Sequence, residues 1–442
     1  MTVFDDNRKK KLYSESERVN RIRFFIMGMK SLKRSFLKKT FVIFNLVLLV
    51  LALITSRSCI PEKPEVFKDV VDIFPAVVYG VTVLLFAALL YIALILFGMP
   101  KESLKFRDNL MRTGMTNHAG EAPMLISKKK DNNNPRIMVL TFYALGFPLS
   151  YWQDHKEIIE TGMNIVIDRI EQGNNRNTFV VYATDGNYQL PDRIDWDTTL
   201  INSTDSVLIL GEGIARTVEV DLAKIPHLLL GGSTGSGKTI LLKLLLMQCA
   251  IKGFDVYIAD FKGGVDFNKS WKYHANIITE PKELVACLDN LVIELHRRKR
   301  LFAELDCSNI NEYNERFGEH MQRIIFGCDE VAELLDKTGL DKKAKDIIAK
   351  YESCIATIAR LGRAFGIHLV LATQRPDANI ISGQIKNNID FRACGRADNV
   401  LSQIILDKTD ANNLISKTAQ GRFLTNTDVL FQAYYFDDSK GW

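Results

Sequence analysis

The chain has 442 residues, 25% of them charged and 47% hydrophobic, which is more than one ordinary core holds and excludes a disordered or collagen-like composition. Residues 1–40 carry twelve Lys/Arg against four Asp/Glu, so +8 of charge sits there and the remainder sums to −3 within a net +5. Bulk charge therefore gives no support for nucleic-acid binding by the later part of the chain, and such a claim must rest on local residues.

In chain order, residues 1–39 read as a basic cytoplasmic tail. Residues 40–98 read as two transmembrane helices joined by a short external hairpin. Thr40 to Ser56 is uncharged, and at about 1.5 Å per residue its 17 positions reach about 26 Å, the short end for a bilayer core. Pro75 to Gly98 is a second uncharged run, long enough to cross with tilt. The long basic segment ahead of the first run, with no small-residue cleavage pattern after it, argues against a signal peptide. Lys101, Lys105, Arg107 and Arg112 follow the second run, whereas Arg57 to Phe74 balances three basic residues with four acids, so both termini are expected to be cytoplasmic and the chain to lie in the cell membrane. Attraction to anionic lipid accounts for the basic tail; a DNA-binding arm is the alternative.

Residues 99–205 read as a linker and a small α/β adaptor. Lys128 to Pro135 is a charge and Asn run that predicts a loop, followed by an amphipathic helix around Trp152 to Gln172 and a strand at Phe179 to Ala183. Scattered through the later region, Cys249, Cys287, Cys307, Cys328, Cys354 and Cys394 lack metal-ligand spacing and read as small buried residues in a reducing compartment.

Residues 206–442 alternate strands and helices. Strands are expected at Val207–Leu210, Thr217–Asp221, His227–Leu230, Val256–Asp260, Ile324–Cys328, His368–Thr373 and Phe391–Arg396, with helices at Ile240–Ala250, Lys282–Leu305 and Ala344–Phe365. Buried strands with crossover helices predict a mostly parallel sheet covered on both faces.

The run Gly232, Ser233, Thr234, Gly235, Ser236, Gly237, Lys238, Thr239 lies between the apolar strand His227–Leu230 and a helix. Glycines let backbone N–H groups converge on phosphate oxygens, and the helix N-terminus adds positive potential. Lys238 is expected on the β and γ phosphates of ATP and the Thr239 hydroxyl on Mg²⁺. Ile324–Cys328 ends in Asp329 and Glu330, at the sheet edge where ligands bind; Asp329 is expected in the Mg²⁺ shell and Glu330 to polarise the attacking water, the alternative being a plain helix cap. His368–Thr373 ends in Gln374, an amide placed to sense the γ phosphate or orient water, or to satisfy local backbone groups.

The string from Asp221 to Leu230, the phosphate loop after it, Gly366 to Pro376, and Ile404-Ile405-Leu406-Asp407 together resemble the FtsK/SpoIIIE family of DNA-pumping motors from about Val207 onward. That resemblance implies a RecA-like P-loop NTPase core, a homo-hexameric ring around DNA, movement driven by ATP hydrolysis, and an arginine supplied across the subunit boundary. Arg363 best matches that arginine by position, with Arg360 second. The sequence departs from the family at Gln403, where an arginine is expected, and at Asp260-Phe261-Lys262-Gly263-Gly264, which looks closer to mobile-element coupling proteins and protein-secretion relatives. Chromosome-segregating members add a winged-helix module and further spans, neither of which is read here. The expected function is a membrane-anchored ATP-driven DNA translocase acting as the coupling protein in conjugation, with DNA, a relaxase and envelope transfer-channel proteins as partners. A protein-secretion ATPase resembling type VII motors and a chromosome- or plasmid-partition translocase are the alternatives.

Overall fold

The computed structural model describes all residues except 1–2, 34, 59–72, 133, 215, 262–264, 319, 376–380 and 441. Most of the expected external hairpin, the segment Lys262-Gly263-Gly264 and Pro376 lie outside the described residues. The chain divides into two compact units, Met1–Tyr188 and Gln189–Trp442.

The first unit opens with three long helices, α1 (Val3–Leu32), α2 (Phe36–Ser58) and α3 (Ile73–Gly98). Phe36–Thr55 and Ala76–Gly98 are long and apolar enough to cross a membrane, and almost none of either is buried in the protein. This fits a membrane anchor. The basic tail is helical, and it meets α3 at two glycines. A Cβ on Gly28 would lie 1.8 Å from the Leu94 carbonyl oxygen, and one on Gly98 would lie 1.9 Å from that of Phe24, so the two backbones touch where any side chain would wedge them apart.

The rest of this unit is a four-stranded antiparallel sheet of order β1-β2-β4-β3, built from β1 (Met124–Lys130), β2 (Met138–Tyr143), β3 (Ile165–Gln172) and β4 (Thr178–Asp185). Helices α4 (Ser103–Arg112), α5 (Leu149–Asp154) and α6 (Lys156–Met163) join its core, where Leu125, Leu140, Phe142, Trp152, Ile159, Phe179 and Val181 are fully buried. Two expectations change here. The helix anticipated through Gln172 ends at Met163, because Asn164 adopts the left-handed conformation (φ 52°) and the following Ile165 and Ile167 bury alternately in β3. The expected loop from Lys128 begins only after Lys130. Its lysines extend β1, an edge strand, where three exposed ammonium groups deter further pairing.

The second unit is an eleven-stranded sheet. Its strands are β5 (Ile194–Asp195), β6 (Val207–Gly213), β7 (Thr217–Asp221), β8 (His227–Gly231), β9 (Asp255–Ala259), β10 (Asn276–Ile278), β11 (Ile324–Cys328), β12 (Ile367–Thr373), β13 (Phe391–Cys394), β14 (Arg422–Thr425) and β15 (Leu430–Tyr435). The run β10-β9-β11-β12-β8-β13 is parallel throughout, and β14-β15-β6-β7 extends it as an antiparallel wing. The boundary expected at 205/206 falls earlier, because β5 pairs with Tyr434 and Tyr435 and Trp196 N–H donates to the Tyr435 carbonyl (2.9 Å), which ties residues 189–205 to this sheet.

Helices cover both faces: α7 (Lys238–Ile251) on one side, α8 (Pro281–Glu304) and α11 (Lys342–Phe365) on the other, with α9 (Ile310–Phe317) and α10 (Val331–Leu335) between the latter two in sequence. Leu284, Leu288, Leu291 and Leu295 repeat at helical spacing and form the buried stripe of α8. The Asp341 side chain caps α11 by accepting from Ala344 N–H (2.8 Å), and Gly366 (φ 65°) ends it. Short helices α12 (Gly383–Lys386), α13 (Asn399–Leu406) and α14 (Asp410–Leu414) complete the unit.

Two fully buried histidines lie on the adjacent strands β8 and β12, where His227 is in register with Leu369. His227 Nδ1 accepts from Leu369 N–H (3.1 Å), and His368 lies between the Pro226 carbonyl (3.1 Å from Nδ1) and the Arg323 guanidinium (3.2 Å from Nε2), a pairing that requires neutral imidazole. Burial holds His227 at about 3 and His368 well below 6.5. The unfolded chain therefore binds protons that the folded one refuses. Stability is whole above about pH 6.5 and is lost as pH falls, by about 1.4 kcal/mol per pH unit for each histidine until its folded value is reached. Calorimetric unfolding between pH 7.5 and 5 checks this, and His227→Asn should flatten the slope.

Candidate nucleotide site

Strand β8 delivers the phosphate loop and α7 receives it. Leu228, Leu229 and Leu230 are buried, so the strand is fixed up to Gly231, and Gly232 to Gly237 then turn into the first helical residue, Lys238. Two glycines are required by the turn: Gly235 and Gly237 have φ of 75° and 96°, and a Cβ on Gly237 would stand 2.8 Å from the Gly421 nitrogen. The Ser236 hydroxyl is buried with no hydrogen-bond partner among the described residues, a polar group waiting on the loop's inner surface.

From the same sheet, one strand beyond β12, β11 brings Asp329 at its carboxyl end. Its Oδ1 accepts from Lys238 Nζ (2.9 Å) and from the Thr239 hydroxyl (2.8 Å), and Lys238 and Asp329 are each only 3% exposed. An ammonium, a hydroxyl and a carboxylate thus converge at one buried point beside a helix N-terminus, a donor set suited to phosphate and an oxygen-liganded cation. Glu330 is held differently. One carboxylate oxygen accepts from the Thr373 hydroxyl (2.8 Å) and the other from Gln374 N–H (2.9 Å), while the first also caps α10 through Ala332 N–H (3.3 Å). Glu330 therefore makes the cap contact that the sequence offered as the alternative, and it stands at the strand edge next to Asp329. The Gln374 side chain reaches the loop itself, accepting from the Thr234 hydroxyl (2.7 Å).

Arg363 lies elsewhere. It closes α11 just before β12, and its Nε donates to the Ala223 carbonyl (3.1 Å). The loop sits at the carboxyl ends of the strands and Arg363 at their amino ends, about 20 Å apart along the seven residues of β12. Within one chain neither Arg363 nor Arg360 meets the phosphate loop; both line a cavity of about 570 Å³ together with Lys299 and Arg323.

Two parts of the site escaped the sequence reading. Arg396, just past β13, clamps the loop from the side: its guanidinium donates to the Thr234 carbonyl (2.6 Å), the Ser233 hydroxyl (3.3 Å) and the Lys417 carbonyl (2.8 Å). Its signal was a basic residue at the carboxyl end of a strand adjacent to β8. The second is a cavity of about 280 Å³ opening beside Gly235 and Gly237, walled by Ile240, Gly421, Tyr434 and Tyr435. The Arg193 guanidinium stacks 3.8 Å over the Tyr435 ring, and burial with the Glu212 carboxylate beside it pushes the Tyr434 phenol up, so it stays neutral and donates to Glu212. An apolar slot next to a phosphate cradle suits a flat aromatic base.

The parallel sheet, the glycine loop on β8, the paired carboxylates on β11 and the single strand β12 between them define a P-loop NTPase with a RecA-like core. The model of the FtsK/SpoIIIE family matches residues 201–378. A solved structure of the pCW3 conjugation coupling protein TcpA, in a monomer form with ATPgS, is 37% identical with a TM-score of 0.56, and the match covers 77% of this chain and 97% of that one. The chain belongs to the FtsK/SpoIIIE family. DNA translocase FtsK of Campylobacter jejuni subsp. jejuni serotype O:23/36 (strain 81-176) is 33% identical over 225 residues, 48% of this chain and 22% of that protein. DNA translocase FtsK of Caldanaerobacter subterraneus subsp. tengcongensis is 35% identical over 218 residues, 47% of this chain and 29% of that protein. The chain thus spans less than a third of the length of these translocases.

Proposed function

We propose that this chain is a membrane-anchored, ATP-driven DNA translocase that serves as the coupling protein in conjugative DNA transfer. The observation that supports this best is the likeness to the pCW3 coupling protein, at 37% identity across 97% of that structure. The buried meeting of Lys238, Thr239 and Asp329 supplies the chemistry such a motor needs.

In this reading the loop amides from Gly232 to Thr239 bind the triphosphate, Lys238 leaves Asp329 for the β and γ phosphates, and Arg396 keeps the loop in shape. Thr239 and Asp329 would hold Mg²⁺, which when bound neutralises charge on the phosphate oxygens. Glu330 takes the proton of the attacking water at a carboxylate oxygen, and Thr373 and the Gln374 N–H hold that carboxylate in place. Gln374, already touching Thr234, reports the state of the loop to the strand edge. The base lies in the slot beside Tyr434 and Tyr435. Helices α2 and α3 cross the cytoplasmic membrane with both termini on the ATP side, and the partners are DNA, a relaxase and envelope channel proteins.

Matings test the conjugative role. A donor lacking this chain should lose transfer to background level and regain it when the chain is restored. Undisturbed transfer, with loss of small secreted helical proteins instead, would assign the motor to protein export.

The position of Arg363, far from its own loop, supports a homo-hexameric ring in which it reaches the neighbour's nucleotide. Arg363→Ala should lower turnover by about 10³–10⁵. Mixing it with Lys238→Ala subunits should restore part of the activity, since some interfaces then pair an intact loop with an intact arginine. If every mixing ratio stays inactive, Arg363 does not act across the interface.

A further inference from the structure

The basic helix α1 presents two apolar faces, and among the described residues one of them packs on α3. Phe24 and Gly28 face α3 and are buried there. On the opposite side Val19, Ile22, Ile26 and Met29 follow one another at spacings of three and four residues, each close to half exposed, and the exposed Glu15 ends the stripe on its N-terminal side. Two occupants fit such a stripe: the same stripe of a second copy, or lipid.

Charge decides between them. With Val19 and Ile26 at the a positions and Ile22 and Met29 at d of a coiled coil, the flanking e and g positions are Arg18, Arg23, Phe25 and Lys30, with no acid among them. Two copies would bring like charges together along the seam. An anionic surface meets no such repulsion. The place of contact also favours lipid: α1 touches α3 at Leu94 and Gly98, within the final turns of the apolar stretch Ala76–Gly98, so the free stripe runs on from the exposed apolar surface of that span. Lys38 marks the same level, with Nζ donating to the Phe97 carbonyl (2.9 Å) and to the Ser31 hydroxyl (3.2 Å), as a lysine does at a membrane boundary.

We propose that the Val19–Met29 stripe of α1 seats in the cytoplasmic leaflet and that Arg18, Lys30 and Lys33 bind anionic phospholipid headgroups. The two faces of α1 then have separate duties: one grips α3 and the other grips lipid. This inference rests on the reading of α2 and α3 as membrane spans.

The test uses the full chain in lipid nanodiscs, with an environment-sensitive fluorescent noncanonical side chain placed singly at Ile26, at Leu84 in α3, or at Lys129 in β1. Lipids with brominated acyl chains should quench Ile26 and Leu84 severalfold more than Lys129. Adding phosphatidylglycerol to phosphatidylcholine discs should deepen the Ile26 response, and Arg18→Gln with Lys30→Gln should abolish that increment. If Leu84 is quenched while Ile26 answers only to aqueous iodide, the inference fails and the anchor stands. If Ile26 is shielded from both quenchers and crosslinks to Ile26 of another copy, the stripe is a protein interface and the inference also fails. If Leu84 is not quenched, the anchor falls and this inference with it.

Discussion

Lys238→Ala should abolish ATP turnover and DNA transfer while leaving the protein in the membrane. Lys238 is buried at the base of the phosphate loop, and its ammonium group is held by Asp329 at 2.9 Å in a site only 3% exposed. A truncated side chain leaves no positive charge to meet the β and γ phosphates. It also strands the Asp329 carboxylate with the Thr239 hydroxyl, and breaking a buried pair from one side costs about 3–5 kcal/mol. Loss of activity must therefore be read beside a melting curve and a membrane fraction. A variant that folds, inserts and fails to turn over ATP meets the expectation. Normal transfer by that variant would remove the loop from the mechanism.

Glu330→Gln should separate binding from chemistry. Glutamine keeps an acceptor oxygen for the Thr373 hydroxyl or the Gln374 N–H, so the strand edge and the cap of α10 stay close to their present form. What it cannot do is take a proton from water. Turnover is expected to fall by about 10²–10⁴ with nucleotide affinity little changed. A variant with weakened binding and unchanged kcat would show instead that Glu330 is only a helix cap. The buried Thr373 hydroxyl holds the same carboxylate, so Thr373→Val is expected to disturb Glu330 as well.

The phosphate loop was legible because its information is local: a strand, a glycine turn and a helix start within a dozen residues, and Gly235 and Gly237 carry the conformations that other residues resist. The placement of Asp329, Glu330 and Gln374 at one sheet edge was legible for a related reason, because each follows a buried strand and a parallel sheet sends strand ends to one edge. Arg396 was hidden by register. Only once β13 is known to lie beside β8 does its end become a neighbour of Ser233 and Thr234. The cavity beside Gly237 was hidden by distance, since Tyr434 and Tyr435 come to line it through an antiparallel wing whose pairing no single segment announces. In the adaptor the error was one of period: a helix read through Gln172 overlooked that Ile165 and Ile167 alternate and that Asn164 is suited to ending a helix.

Displacement of a third strand from a DNA triplex by the purified full chain in detergent or nanodiscs tests the central claim most directly, because it reports movement along DNA and not binding alone. With ATP and Mg²⁺ the chain should strip the third strand while hydrolysing nucleotide, and with ATPgS in place of ATP the triplex should survive. A chain that hydrolyses no ATP with any DNA present, or that leaves the triplex intact while hydrolysing it, would contradict the account.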